Sequence, residues 1–255
     1  MSGIHAQVAE FLRDAWHENQ VTRITWVNHF SAQVVLAYDP ELLDGFDLVG
    51  VDGILLQSLL RTPYARVPGG GDATLPLLLP ALEGARVALV GGEPAASEAR
   101  KVAVQRLLGP RSNIVVSTDG FTGKPSADEL PAWVAEHQPD VVIVGMGAGL
   151  QDDFALRVAE LLPRGVVATC GGWMDQIART SSYYPKWAYS ARLTWAIRVL
   201  REPRRLWRRY TLDAVRAFCI RPALLAGVAE TKGYRRYGEV ARTSTPRPPG
   251  YFLTK

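Results

Sequence analysis

The chain has 255 residues, of which 47% are hydrophobic and 21% charged, proportions that exclude a disordered, collagen-like or coiled-coil protein. Two cysteines, Cys170 and Cys219, are too few for a disulfide framework and point to a reducing compartment. The net charge of +4 is concentrated, because residues 192–209 hold seven arginines and one glutamate, which directs the basicity at one anionic surface.

Residues 1–10 lack a basic stretch followed by an apolar core, so no secretion signal is expected. No apolar run reaches the roughly 18–20 residues of a membrane-spanning helix. The strongest one, 73–82, is short and carries Pro76 and Pro80. Strands are predicted at 24–28, 48–51, 86–90, 114–117, 141–144 and 166–169, where β-branched apolar runs are bounded by Gly, Asp or Pro. They are apolar on both faces, as strands covered by helices on both sides must be. Helices are predicted between them at 6–18, 32–38, 54–61, 96–108, 127–137 and 152–162. This alternation implies an α/β fold: a Rossmann-like, mostly parallel sheet with helices on both faces. After about Ser190 the pattern changes to helices rich in Arg, Trp and Leu, expected at 192–201 and 204–218, with Pro203 opening the second. The expected division is an α/β catalytic domain over 1–189, a basic helical membrane-docking appendage over 190–241 and a Pro-rich tail over 242–255.

Open parallel sheets hold their ligands at the carboxyl ends of the strands, so the strand ends supply the candidates. The second strand ends in Asp52-Gly53. A carboxylate there suits a general base, and equally a helix N-cap. In the loop that follows, Arg66 and the run Gly69-Gly70-Gly71-Asp72 fit either a phosphate clamp or a solvated loop in which Asp72 caps the next helix. The third strand ends in Gly91-Gly92, which lets backbone amides approach a phosphate or simply makes a tight turn. The fifth ends in a glycine-rich stretch from Gly145 to Gln151 with Leu150 where a dinucleotide fingerprint needs Gly. A pocket wall with Gly147 and Gln151 is the preferred reading there. The sixth runs into Cys170-Gly171-Gly172-Trp173-Met174-Asp175. With no histidine close in sequence, Cys170 is read as structural, not as a nucleophile. His5, His17, His29 and His137 show no metal-ligand spacing, and no Asp-x-Asp pair is present. The arginines of 192–209 interleave with Trp195, Trp207, Leu200 and Leu206. That pattern fits first an anionic bilayer surface, then a helix packed on the body, and last nucleic acid, which is not taken as a partner.

In chain order, these pieces resemble the WecG/TagA/CpsF glycosyltransferases of bacterial surface-polysaccharide synthesis. The resemblance is carried by Asn28, Asp52-Gly53, Arg66 with Gly69–Asp72, Leu89-Val90-Gly91-Gly92, Asp119-Gly120-Phe121, Gly171-Gly172-Trp173-Met174-Asp175, and the closing set Trp195, Arg198, Glu202-Pro203-Arg204-Arg205 and Trp207-Arg208-Arg209-Tyr210. It implies an inverting transfer of a hexose, such as N-acetylmannosamine, from a UDP-sugar to a polyprenyl-diphosphate-linked sugar. The reaction would need no metal or other cofactor and would take place on the inner face of the cell membrane. Asp52 would be the base, with Asn28 and Arg66 positioning the acceptor or its phosphate. Gly69, Asp72, Gly91, Gly92, Asp119, Gly120, Phe121, Gly147, Gln151, Gly172 and Asp175 would bind substrate, and Arg198, Arg204, Arg205 and Arg208 would stabilise the leaving UDP. Three positions depart from the family pattern: Trp26 replaces a threonine, Leu150 a lysine and Thr194 a glutamate. They admit another donor hexose, or a catalytically inactive UDP-sugar-binding partner in a polysaccharide assembly complex. Self-association is left open.

Overall fold

The structure, a computed structural model, describes residues 2–62, 70–179, 199–200 and 203–242. Six parallel strands form one sheet: β1 (Val21–Val27), β2 (Leu48–Val51), β3 (Arg86–Gly91), β4 (Asn113–Thr118), β5 (Val141–Gly145) and β6 (Gly165–Thr169), in the order β2-β1-β6-β5-β3-β4. All six predicted strands are present, with ends shifted by at most a few residues. The central strand β5 shows why such runs become strands. Val142 and Val144 enter the core on one face of the sheet, Val141 and Ile143 the core on the other. Both faces therefore demand apolar side chains.

The helices divide between these two cores. Between β1 and β2 lies α2 (His29–Tyr38), between β2 and β3 lie α3 (Ile54–Leu60) and α4 (Gly71–Leu78), and α5 (Ser97–Gln105), α6 (Leu130–His137) and α7 (Leu150–Leu161) connect the later strands. The first helix, α1 (Ser2–His17), packs on α4 and brings Val8 and Leu12 against Ile24 and Leu48. α7 presses Phe154, Ala155 and Val158 into the opposite core. After β6 come α8 (Trp173–Arg179), then α9 (Pro203–Tyr210), α10 (Leu212–Cys219), α11 (Arg221–Leu224), a wide turn of π-helix at Leu225–Ala229, and α12 (Lys232–Val240).

The C-terminal helices belong partly to the body. Ala217, Leu224, Val228 and Tyr234 join the core with α2 and α3, and Tyr237 joins the core of Trp26 and Leu48. Helix α12 thereby lies along β2 and covers that sheet edge, which would otherwise present unpaired backbone groups. The expected division near residue 190 falls outside the described residues, as do the expected helix start at 192 and the tail beyond 242. The helix predicted over 204–218 is two helices. Thr211 breaks it, its Oγ1 donating to the carbonyl of Trp207 at 2.7 Å, a local bond that competes with helix continuation.

Candidate active site

The carboxyl ends of β1, β2, β5 and β6 and the loops after β3 and β4 surround one cavity of about 500 Å³. Among the sequence candidates, Asn28, Asp52, Asp72, Gly92, Gly120, Phe121, Gly147, Gln151, Gly172 and Asp175 line it. Gly91 and Asp119 do not line it, Gly91 being buried and Asp119 part-exposed, and Arg204 and Arg208 sit on the outer surface of α9. Arg66, Gly69, Arg198 and the departure Thr194 fall outside the described residues, as does the side chain of Arg205.

At the ends of β1 and β2 the wall is made of polar side chains. Asn28 caps α2: its Oδ1 accepts from the amides of Phe30 and Ser31, both at 3.0 Å, while Ser31 Oγ accepts from the Asn28 amide at 2.7 Å. This reciprocal capping engages Asn28 Oδ1 and the Asn28 backbone amide, and Asn28 lines the cavity with its side-chain Nδ2 as the donor that the cap does not use. Asp52 continues β2, its amide donating to the Val27 carbonyl at 2.8 Å, and it is exposed. The N-cap of α3 is Gly53, not Asp52. Asp72 stands in the first turn of α4, whose N-cap is Gly70. A Cβ on Gly70 would lie 2.5 Å from Asp72 Oδ1 and 3.8 Å from Asp52 Oδ1, so this glycine allows the two carboxylates to flank one backbone. Trp26 forms the floor beside them. It fits because Gly50 and Gly71 face its ring, where a Cβ would come within 2.3 Å and 3.2 Å respectively.

At the ends of β3, β5 and β6 the wall is mostly backbone. Gly91 has φ +124°, and a Cβ there would stand 2.2 Å from the Gly145 carbonyl. Gly92 donates to that carbonyl at 2.9 Å, and its own carbonyl accepts from Gly120 at 3.2 Å. Asp119 shapes its loop by accepting from the amides of Phe121 and Thr122, each at 2.8 Å, bonds that lower its pKa. This holds Phe121 71% exposed at the cavity mouth. Gln151 is 4% exposed in the wall, and its Oε1 has no partner among the described residues. Its neighbour Asp152 points into the protein, accepting from Thr25 Oγ1 at 2.7 Å and from the Gly149 amide at 3.0 Å, with Thr169 Oγ1 donating in turn to Thr25 at 2.7 Å. Burial raises the Asp152 pKa against these bonds. Asp153, one residue on, faces outward and pairs with Arg157 at 2.9 Å. Burial also pushes the Cys170 thiol up to about 12, so it is a neutral thiol at pH 7 and a poor nucleophile.

Three residues that line or back the cavity, Arg209, Arg100 and Trp26, were not among the expected site residues, Arg209 standing only in the closing set of the resemblance. Arg209, at the end of α9, lines the cavity, its guanidinium stacked 4.7 Å over the Phe30 ring. His29 Nε2 donates to the Arg209 carbonyl at 2.9 Å, which docks α9 on α2; burial lowers the His29 pKa. Arg100 of α5 is fully buried behind Gly92, with Nη1 3.3 Å from Asp175 Oδ1. Its signal was its place four residues before buried Val104, on the inner face of the helix. Trp26 was noted only as a departure from the family pattern. No single stretch of sequence shows that glycines from two other elements make room for it.

Among the described residues, no three His, Cys, Asp or Glu side chains converge to hold a metal ion, and no helix is long and apolar enough to cross a membrane. Trp207, Leu212, Val215 and Phe218 are more than half exposed on α9 and α10. An exposed carboxylate facing glycine-lined backbone across one cavity suits acid–base chemistry on a ligand held by its polar groups. The sequence matches the glycosyl transferase WecG/TagA/CpsF family over residues 3–228; the chain is therefore a member of that family of glycosyltransferases, which act in cell-surface polysaccharide synthesis.

Proposed function

We propose that this chain transfers a hexose, with inversion and without a metal ion, from a UDP-sugar to a polyprenyl-diphosphate-linked sugar on the cytoplasmic face of the cell membrane. The observation that carries this reading is the exposed Asp52 carboxylate, which shares one cavity with the glycine turns of β3, β5 and β6. Asp52 takes the proton of an acceptor hydroxyl as that oxygen attacks the anomeric carbon. The bond from the anomeric carbon to the diphosphate breaks on the opposite face, and UDP leaves with the electron pair. The glycine turns and Gln151 hold the donor. Asn28 offers amide donors to the acceptor, and Arg66 its guanidinium. Arg209 of the cavity wall, with Arg198 and Arg205 of the same segment, neutralises the charge developing on UDP, while Arg204 and Arg208, on the outer surface of α9, face an anionic lipid surface. The exposed apolar residues of α9 and α10, next to these arginines, suit an anionic lipid surface.

The test is a mass-spectrometric screen of UDP-hexoses against lipid-linked acceptors on anionic and neutral vesicles. Product is expected with one donor, faster on anionic vesicles, and Asp52→Asn should lower kcat by about 10²–10⁴-fold while leaving UDP binding intact. Wild-type turnover by Asp52→Asn would remove Asp52 as the base. Trp26 favours a second reading. It occupies the place of the family's threonine and fills the floor beside Asp52, which suits a UDP-sugar-binding partner that performs no transfer. UDP binding without product across the whole panel would support that alternative.

A further inference from the structure

We infer that Arg100 is a positioning residue for the donor: it fixes Asp175 so that the carboxylate's second oxygen meets a hydroxyl of the bound nucleotide-sugar. This rests on the donor reading proposed above. The Arg100 side chain is 0% exposed. Its Nη1 lies 3.3 Å from Asp175 Oδ1 and 3.3 Å from the Glu93 carbonyl, and its Nη2 lies 3.5 Å from the Thr118 carbonyl. One guanidinium thus ties together the loop after β3, the end of β4 and the first turn of α8. The Glu93 amide adds a second donor to Asp175 Oδ1 at 3.3 Å.

Both of these bonds fall on Oδ1. Oδ2 takes none among the described residues, and Asp175, 21% exposed, lines the cavity. An ionised carboxylate only accepts hydrogen bonds. Its ligand must therefore be a donor; a diphosphate carries none, and ribose and hexose hydroxyls are the most numerous donors of a UDP-sugar, beside the uracil N–H and any acetamido N–H. Gly92 belongs to the same device. A Cβ there would stand 2.3 Å from Arg100 Nη1 and 2.5 Å from Asp175 Oδ1, so only glycine lets the pair sit directly behind the wall. A buried guanidinium is costly unless paired, and the surface that this pair presents to the cavity is Asp175.

The experiment compares donor KM and kcat for the wild type, Arg100→Gln, Arg100→Lys, Asp175→Asn and the double variant Arg100→Gln/Asp175→Asn. Arg100→Gln and Asp175→Asn should each raise donor KM about tenfold with kcat changed less than about twofold. The double variant should be no worse than either single one, and Arg100→Lys should recover most of the loss. Additive losses in the double variant would show that the two side chains act separately, and a matching fall in kcat would show that Arg100 only braces the fold; either result, or a wild-type KM in folded Arg100→Gln, overturns the inference alone. Should Arg100→Gln fail to fold, Asp175→Asn decides by itself: an unchanged donor KM overturns the proposed hydroxyl contact. A wild-type protein that binds no UDP-sugar overturns the donor reading and this inference with it.

Discussion

The two sides of the cavity are built from different materials. Where β1 and β2 end, side chains form the wall: Trp26, Asn28, Asp52 and Asp72. Where β3, β5 and β6 end, the wall is glycine backbone with Asp175 and Gln151 set into it. On the first side a functional group can be changed while the backbone stays in place, because the strands beneath are held by their own ladder. On the second the site and the fold share the same atoms: the turn that would meet a ligand is also the turn that packs β3 against β5.

The largest effect expected from this contrast is at Gly91. Its φ of +124° and the 2.2 Å between a new Cβ and the Gly145 carbonyl leave an alanine no relaxed position. Gly91→Ala should lower unfolding free energy by about 3–5 kcal/mol, read from urea denaturation. A loss within about 0.5 kcal/mol would show that the glycine wall is no more tied to the fold than the side-chain wall. Gly50 sharpens the contrast from the other side, since there a glycine yields to a side chain. Gly50→Ala would place a Cβ 2.3 Å from the Trp26 ring and should cost about 1–3 kcal/mol. Combining it with Trp26→Thr should remove the larger part of that cost, because the threonine frees the ring's side of the slot while Tyr237 Cε2, 2.9 Å from the new Cβ, stays on the other. Additive losses in that cycle would mean that the slot is set by backbone and not by the ring.

The smallest effect concerns the seam between α2 and α9. Burial lowers the His29 pKa, so the unfolded chain takes up a proton near pH 6.5 that the folded chain resists. Stability is then complete above pH 6.5 and falls as pH drops from there toward the lowered folded value, by at most about 1.4 kcal/mol per pH unit. His5 is shifted in the same direction and Asp152 in the opposite one. The measurement is therefore the difference in pH slope between wild type and His29→Gln, in which their contributions cancel. Equal slopes would show that His29 does not hold the seam in its neutral form.

The six strands were legible because a strand covered on both faces has to be a short run of β-branched apolar residues, and Val141–Gly145 or Leu48–Val51 can hardly be anything else. Asp52 and the glycine pairs were legible for a related reason: parallel sheets put ligands where strands end. Helix α12 was not. Its sequence KGYRRYGEV carries two glycines and four charges and gives a weak local signal, yet Tyr234 and Tyr237 are held in the two cores. Packing overrode propensity there. Among the arginines, sequence pointed to a cluster without ranking its members. The break at Thr211 and the bond from His29 to the Arg209 backbone bring Arg209 to the cavity while Arg204 and Arg208 stay outside.

By itself, the sequence determined the parallel α/β sheet, the end of it where the cavity opens and the carboxylate at that end, because each follows from local pattern and the geometry of parallel strands. Only the tertiary structure decided that Arg100 stands behind Gly92 against Asp175, that Trp26 lies between two glycines, and that Arg209 enters the wall. Those facts join residues tens to nearly two hundred positions apart, and contacts of that kind are set by how helices pack on the sheet, which no short stretch of residues encodes.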